Sequence, residues 1–81
     1  MQVKVKLFAA ARQQCSADEV AVDVDDRATV GELRAALART YPALDAILAA
    51  SMVAIDHDYA ADHCEIRPGS DVALIPPVSG G

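Results

Sequence analysis

Apolar and polar residues alternate at the start of the chain. In "VKVKLF", Val3, Val5 and Leu7 fall on one face and Lys4, Lys6 and Phe8 on the other, the period of a strand with one buried face. "AARQQCSAD" has no such period and reads as a loop or short turn, with Ser16 and Asp18 as turn formers. "EVAVDV" alternates again, with Val20, Val22 and Val24 on one face of a second strand. The pattern then changes to a helical one. In "DDRATVGELRAALARTYP", Val30, Leu33, Leu37 and Tyr41 line one stripe of a helix. Thr29 followed three residues later by Glu32 predicts a capping box at its start. Pro42 predicts its end, because the residue before a proline is pushed out of the α region. "ALDAILAA" suits a short second helix, and "MVAI" a third strand. "DHDYAADH" is a polar excursion, "CEI" a short fourth strand, "RPGSD" a turn and "VALI" the last strand.

The resulting order is β-β-α-β-β-β, with one helix long enough to cover one face of a sheet. Val3, Val5 and Leu7 of the first strand and Val72 and Leu74 of the last would face that helix. Phe8, Ala73 and Ile75 would lie on the other face. If the first and last strands are parallel neighbours, Phe8 and Ile75 meet near their C-terminal ends and form a small exposed apolar patch, a feature that often marks a docking site.

The chain has 81 residues, enough for one small domain without a cleft between domains. Its formal charge of −5 excludes the basic footprint of a nucleic-acid or anionic-membrane surface and suits a basic protein partner. Lys4 and Lys6 interrupt the opening segment, so no secretory signal is expected there, and no run is long enough to span a membrane. The two cysteines, Cys15 and Cys64, then read as thiols of a cytoplasmic, reduced protein.

The end of the chain, "VALIPPVSGG", carries the candidate chemistry. Residues 1–75 read as the folded domain and residues 76–81 as an extended tail. Pro76 and Pro77 cannot join a ladder and favour an extended spacer. At about 3.1 Å per residue, residues 76–81 reach roughly 19 Å. Gly80 and Gly81, lacking Cβ atoms, suit a passage too narrow for side chains. What such a tail delivers is the Gly81 α-carboxylate, a poor electrophile until it is activated, most simply as a mixed anhydride with AMP. An activated glycyl carbonyl accepts sulfur, giving a thiocarboxylate, or an amine, giving an isopeptide. The chain has no P-loop and no glycine-rich phosphate loop, so the activating site is expected on a partner that uses ATP.

"GSDVALIPPVSGG", "KLFAAAR" and "TVGELRAAL" together resemble the small subunits of molybdopterin synthase, a family of ubiquitin-like sulfur carriers. The resemblance implies an α+β fold of the β-grasp type, a mixed sheet covered on one face by a main helix, with the first and last strands parallel neighbours. It implies an E1-like adenylyltransferase that forms a glycyl adenylate at Gly81 and a sulfur-donating enzyme that converts it to a 1-thioglycine. It implies a large synthase subunit into which the tail inserts, giving sulfur to cyclic pyranopterin monophosphate. The small subunit then binds no cofactor and has no complete active site of its own. By the resemblance, Phe8, Arg12, Tyr59, Ile75, Pro76, Pro77, Val78 and Ser79 touch partners, while Gly81 with Gly80 carries the reaction. Two positions depart from the family. Leu74 and Ile75 stand where many members have aromatic residues before the Pro-Pro pair, and Asp56 where members often carry Asn.

Other chemistry is weaker. "DHDYAADHCE" gathers Asp, His, Cys and Glu, but its spacing matches neither a zinc signature nor an EF-hand, and it reads as a solvated loop with no metal. Ser79 has no base placed beside it by any motif. Two further functions share the tail: a sulfur carrier for thiamin thiazole or tRNA thiolation, and a ubiquitin-like modifier that ends as an amide on lysine.

Overall fold

The computed structural model describes residues 1–77. Val78, Ser79, Gly80 and Gly81 lie outside the described residues, as do the tail readings that fall on them. The elements run β1 (Gln2–Leu7), α1 (Ala9–Cys15), β2 (Glu19–Asp23), α2 (Val30–Thr40), a 3-10 turn (Pro42–Leu44), α3 (Asp45–Leu48), β3 (Met52–Ile55), β4 (Asp58–Ala60) and β5 (Val72–Ile75).

The five strands form one mixed sheet in the order β2-β1-β5-β3-β4. β1 and β5 are parallel, with Val5 opposite Val72 and Leu7 opposite Leu74. β1 pairs antiparallel with β2, and β3 pairs antiparallel with both β5 and β4. As the alternation predicts, Val3, Val5 and Leu7 are buried while Gln2, Lys4 and Lys6 are exposed. Val22, Val53, Val72 and Leu74 join them on the inner face, where Val30, Leu33, Ala36 and Leu37 of α2 cover the sheet. Leu44, Leu48 and Ile66 close the ends of this aliphatic core.

α2 begins with the expected capping box. The Glu32 amide donates to Thr29 Oγ1 at 3.2 Å, and the Thr29 amide donates back to Glu32 Oε1 at 3.2 Å. It ends at Thr40, before Tyr41 and Pro42. The Tyr41 hydroxyl donates to the Ala21 carbonyl at 2.6 Å, tying the end of α2 to edge strand β2. "ALDAILAA" forms a 3-10 turn followed by α3.

Two segments differ from expectation. "AARQQCSAD" is not a loop: Ala9–Cys15 form α1, closed by Ser16 in the left-handed region. Ala11, fully buried, is its only core residue, so its apolar stripe was too thin to show in the pattern. "CEI" is not the fourth strand. That strand is Asp58–Ala60, inside the stretch read as a polar excursion. Asp56 and His57, both with positive φ, make the two-residue turn that folds β4 back on β3. "CEI" instead lies along the entry to α2. Glu65 bridges Thr29, the Ile66 amide donates to the Ala28 carbonyl, and the Val30 amide donates to the Cys64 carbonyl.

Candidate functional site

β5 is the central strand, and the chain leaves the sheet at its C-terminal end. By alternation Val72, Leu74 and Pro76 point toward the helices and are buried, while Ala73 and Ile75 point to the open face. Pro76 is therefore seated in the body, and Pro77 is the first exposed residue after β5.

The open face beside that exit is apolar. Phe8 and Met52 are each 46% exposed and Tyr59 is 66% exposed. Met52 sits opposite Ile75 across β3 and β5. Phe8, Tyr59 and Ile75, together with Ala54 and Ala73, line a concavity of about 340 Å³. Its remaining walls are Lys6, His57 and Asp71. Three large apolar side chains left in solvent on so small a domain are hard to explain by core packing, which here is aliphatic and complete without them.

The polar rim is held by its own contacts. Asp71 Oδ1 lies 3.1 Å from Lys6 Nζ, and Asp71 Oδ2 lies 3.8 Å from His57 Nε2. The Asp71 amide donates to Asp56 Oδ1 at 2.9 Å, and the Asp56 amide donates to the Asp71 carbonyl at 2.8 Å. Asp56 thus locks the β3–β4 turn to the start of β5. An Asp serves there because its short side chain tolerates the left-handed backbone and can also accept a hydrogen bond.

Of the residues singled out in the sequence, Phe8, Tyr59 and Ile75 come together in this concavity. Arg12 does not line it. It lies beyond Phe8, exposed, in a shallower depression with Asp18 and Glu19, and its Nη1 is 3.8 Å from Asp18 Oδ1. Met52, Lys6, His57 and Asp71 were not singled out. The alternation of "MVAI" already sets Met52 and Ala54 against Val53 and Ile55, so Met52 was within reach of that reasoning. The Lys6–Asp71–His57 rim is set by long-range strand pairing and had no local signal. A second cavity, of about 290 Å³, lies by Met1–Lys4 and Arg67–Ser70, at the end of β1 remote from the exit.

Among the described residues, no group of three or more His, Cys, Asp and Glu is placed to hold a metal ion. The "DHDYAADHCE" stretch has structural partners instead. Asp62 Oδ1 accepts from Arg34 Nε at 2.9 Å, and the Asp62 carbonyl accepts from the Gly31 amide at 2.9 Å. Cys15 and Cys64 are free, half-buried thiols packed against the core. No helix of the described residues is long and apolar enough to cross a membrane.

A mixed sheet with its first and last strands parallel at the centre, one long helix across one face and the other face open, defines a β-grasp, ubiquitin-like protein. Residues 5–81 match the ThiS family, and the chain belongs to that family. It is 34% identical over 83 residues, covering all of both chains, to the molybdopterin synthase sulfur carrier subunit of Chlamydomonas reinhardtii. It is also similar to the crystal structure of SAMP1 from Haloferax volcanii, with a TM-score of 0.86 at 34% identity and full coverage of both chains. At 22% identity it shares the fold, with a TM-score of 0.70 and full coverage of both, of a chain in the complex of subunits 1 and 2 of molybdopterin-converting factor from Helicobacter pylori 26695.

Proposed function

We propose that this protein is the sulfur-carrying small subunit of a molybdopterin synthase. The observation that carries the reading is the position of the exit: the central strand ends at Ile75 in the open apolar face, so whatever protein docks on that face also receives the tail. Full-length identity to a relative named as a molybdopterin synthase sulfur carrier subunit supports the same reading.

The chemistry proposed belongs to Gly81. Its α-carboxylate oxygen attacks the α-phosphorus of ATP in an E1-like partner, releasing pyrophosphate and leaving a glycyl adenylate. A sulfur-donating enzyme supplies sulfur at the sulfide level, AMP departs, and the chain ends in a 1-thioglycine. In the large subunit the thiocarboxylate gives its sulfur to cyclic pyranopterin monophosphate, and water restores the carboxylate. This chain contributes the docking face, the aimed spacer and the reacting carboxyl group, as the sulfur-donating part of a heteromeric sulfurtransferase. With Pro76 buried, residues 77–81 would reach about 15 Å if fully extended at about 3.1 Å per residue. The reading carries with it a reducing, cytoplasmic location, in which Cys15 and Cys64 remain thiols.

The likeness to SAMP1 favours a second reading, a protein modifier whose activated Gly81 is taken by lysine. Intact-mass measurement of protein from cells separates the two. The carrier reading expects a species with one terminal oxygen replaced by sulfur. It also expects return to the carboxylate on incubation with the large subunit and cyclic pyranopterin monophosphate. Lysine-linked adducts without a thiocarboxylate would establish the modifier. Deletion of Gly81 is expected to leave thermal unfolding unchanged and to abolish sulfur loading; loading that survives the deletion rules out Gly81 as the site.

A further inference from the structure

β1 is paired along only part of one edge. Toward β2 its register runs from Gln2 to Lys6, but toward β5 it runs only from Val5 to Leu7. The chain before β5 does not lie as a strand beside Gln2–Lys4. It turns there, with Gly69 at a φ of 83° and the Ser70 amide donating to the Arg67 carbonyl at 3.1 Å. Beside the unpaired half of β1 lies the cavity of about 290 Å³ between residues 1–4 and residues 66–70. A strand turns the backbone groups of successive residues to alternate edges. The Val24 amide donates to the Met1 carbonyl and the Leu7 amide to the Asp18 carbonyl, so the odd-numbered residues here serve β2. The amide and carbonyl of Gln2 and the amide of Lys4 therefore face the cavity side, and no backbone hydrogen bond joins them to residues 66–70.

Two cations stand in the walls of this cavity, and no carboxylate side chain does. Lys4 and Arg67 are exposed, and neither is in an ion pair among the described residues. The chain has 12 acidic and 7 basic residues, so the local balance runs opposite to that of the molecule. Asp71, the next carboxylate along the chain, is engaged by Lys6 at 3.1 Å. We propose that the unpaired half of β1 takes an extended acidic segment of another protein as a short added strand. The segment's backbone pairs with Gln2 and Lys4, and its carboxylate sits between Lys4 and Arg67. The open edge covers three residues, about 10 Å at about 3.3 Å per residue. Strand addition draws its affinity from main-chain hydrogen bonds and its selectivity from side chains. A carboxylate or sulfate ion alone satisfies the cations and the amides but offers no donor to the Gln2 carbonyl, whereas a peptide supplies one from its own N–H. The site lies at the end of β1 opposite the exit of the tail, so it is independent of the sulfur-carrier reading and leaves the open apolar face free.

The probe is the blocked peptide acetyl-Thr-Val-Glu-Val-Asp-Thr-amide, titrated into isotope-labelled full-length protein while amide shifts are followed by NMR. Saturable shifts are expected at the Gln2 and Lys4 amides, whose hydrogen exchange should slow about threefold or more. The same peptide with lysine in place of both acidic residues should bind at least about fivefold more weakly. Gln2→Pro removes one donor at the first position of β1, where proline is tolerated, and leaves the bonds to β2 in place. Lys4→Glu reverses one charge in the wall. Each is expected to weaken the acidic peptide about fivefold, with the rest of the spectrum reporting an intact fold. Absence of shifts at Gln2 and Lys4 up to about 5 mM peptide overturns the proposal. Binding that both substitutions leave unchanged also overturns it. If sodium sulfate or free glutamate reproduces the shifts, the site is one for small anions and strand addition is wrong.

Discussion

Arg34 shows how much of this small fold one side chain holds. Its Nη1 donates to the Leu48 carbonyl at 2.6 Å, its Nη2 to the Ser51 carbonyl at 2.7 Å, and its Nε to Asp62 Oδ1 at 2.9 Å. One guanidinium therefore joins α2 to the end of α3, the entry to β3 and the segment after β4. Only 20% of the side chain is exposed, so water cannot fully replace these bonds. Arg34→Met keeps the length and removes every donor, stranding the Ser51 carbonyl and leaving the Leu48 carbonyl with the Ser51 amide alone. We expect it to cost about 2–3 kcal/mol in urea unfolding, with Arg34→Lys intermediate. A cost below about 0.5 kcal/mol would mean that those carbonyls find other partners. Nothing local in the sequence announced this role, because the partners lie 14, 17 and 28 residues away.

Elements whose residues follow one strong period were legible, and those built by local geometry were not. β1 and β5 alternate cleanly in burial, β2 less regularly, and α2 has both its stripe and its capping box. Thr29→Ala should remove the cap and lower stability by about 1 kcal/mol, whereas Thr29→Ser should retain most of it. Equal stability of Thr29→Ala and wild type would show that the Cys64 and Asp62 carbonyls, which accept from the next two amides, hold the helix start unaided. α1 was missed because alanine and glutamine form a helix without marking a face. β4 was missed because its three residues are defined by the Asp56–His57 turn rather than by their own pattern. Asp-His is an uncommon pair for that turn, which usually signals itself through glycine or asparagine.

For the molecule as a whole, charge and shape act at different stages of association. On the reading proposed above, the excess of carboxylates acts at a distance, before contact, and the apolar face acts after it. If the partner's surface is basic, raising NaCl from about 0.05 to 0.5 M should slow association several-fold and leave dissociation nearly constant, since the Debye length falls well below protein dimensions. Stopped-flow mixing of the protein with the large subunit of the proposed synthase measures both rates. An association rate insensitive to salt would remove charge from the account. The apolar face was partly legible at this scale. Phe8 and Ile75 follow from alternation, but Tyr59 joins them only because β4 exists, and Met52 only through its pairing with Ile75.

The central place of β5 also governs how the fold responds to force. β5 is hydrogen-bonded along both edges, to β1 and to β3. A pull on the tail therefore loads both ladders in shear, with all their bonds sharing the strain, rather than peeling them apart one by one. On the reading proposed above, a partner could then grip and release the tail through repeated cycles without unravelling the strand behind it. An unfolding machine taking hold at the same end would meet the same two ladders in shear, so a handle suited to delivery would also make the protein hard to dismantle from that side.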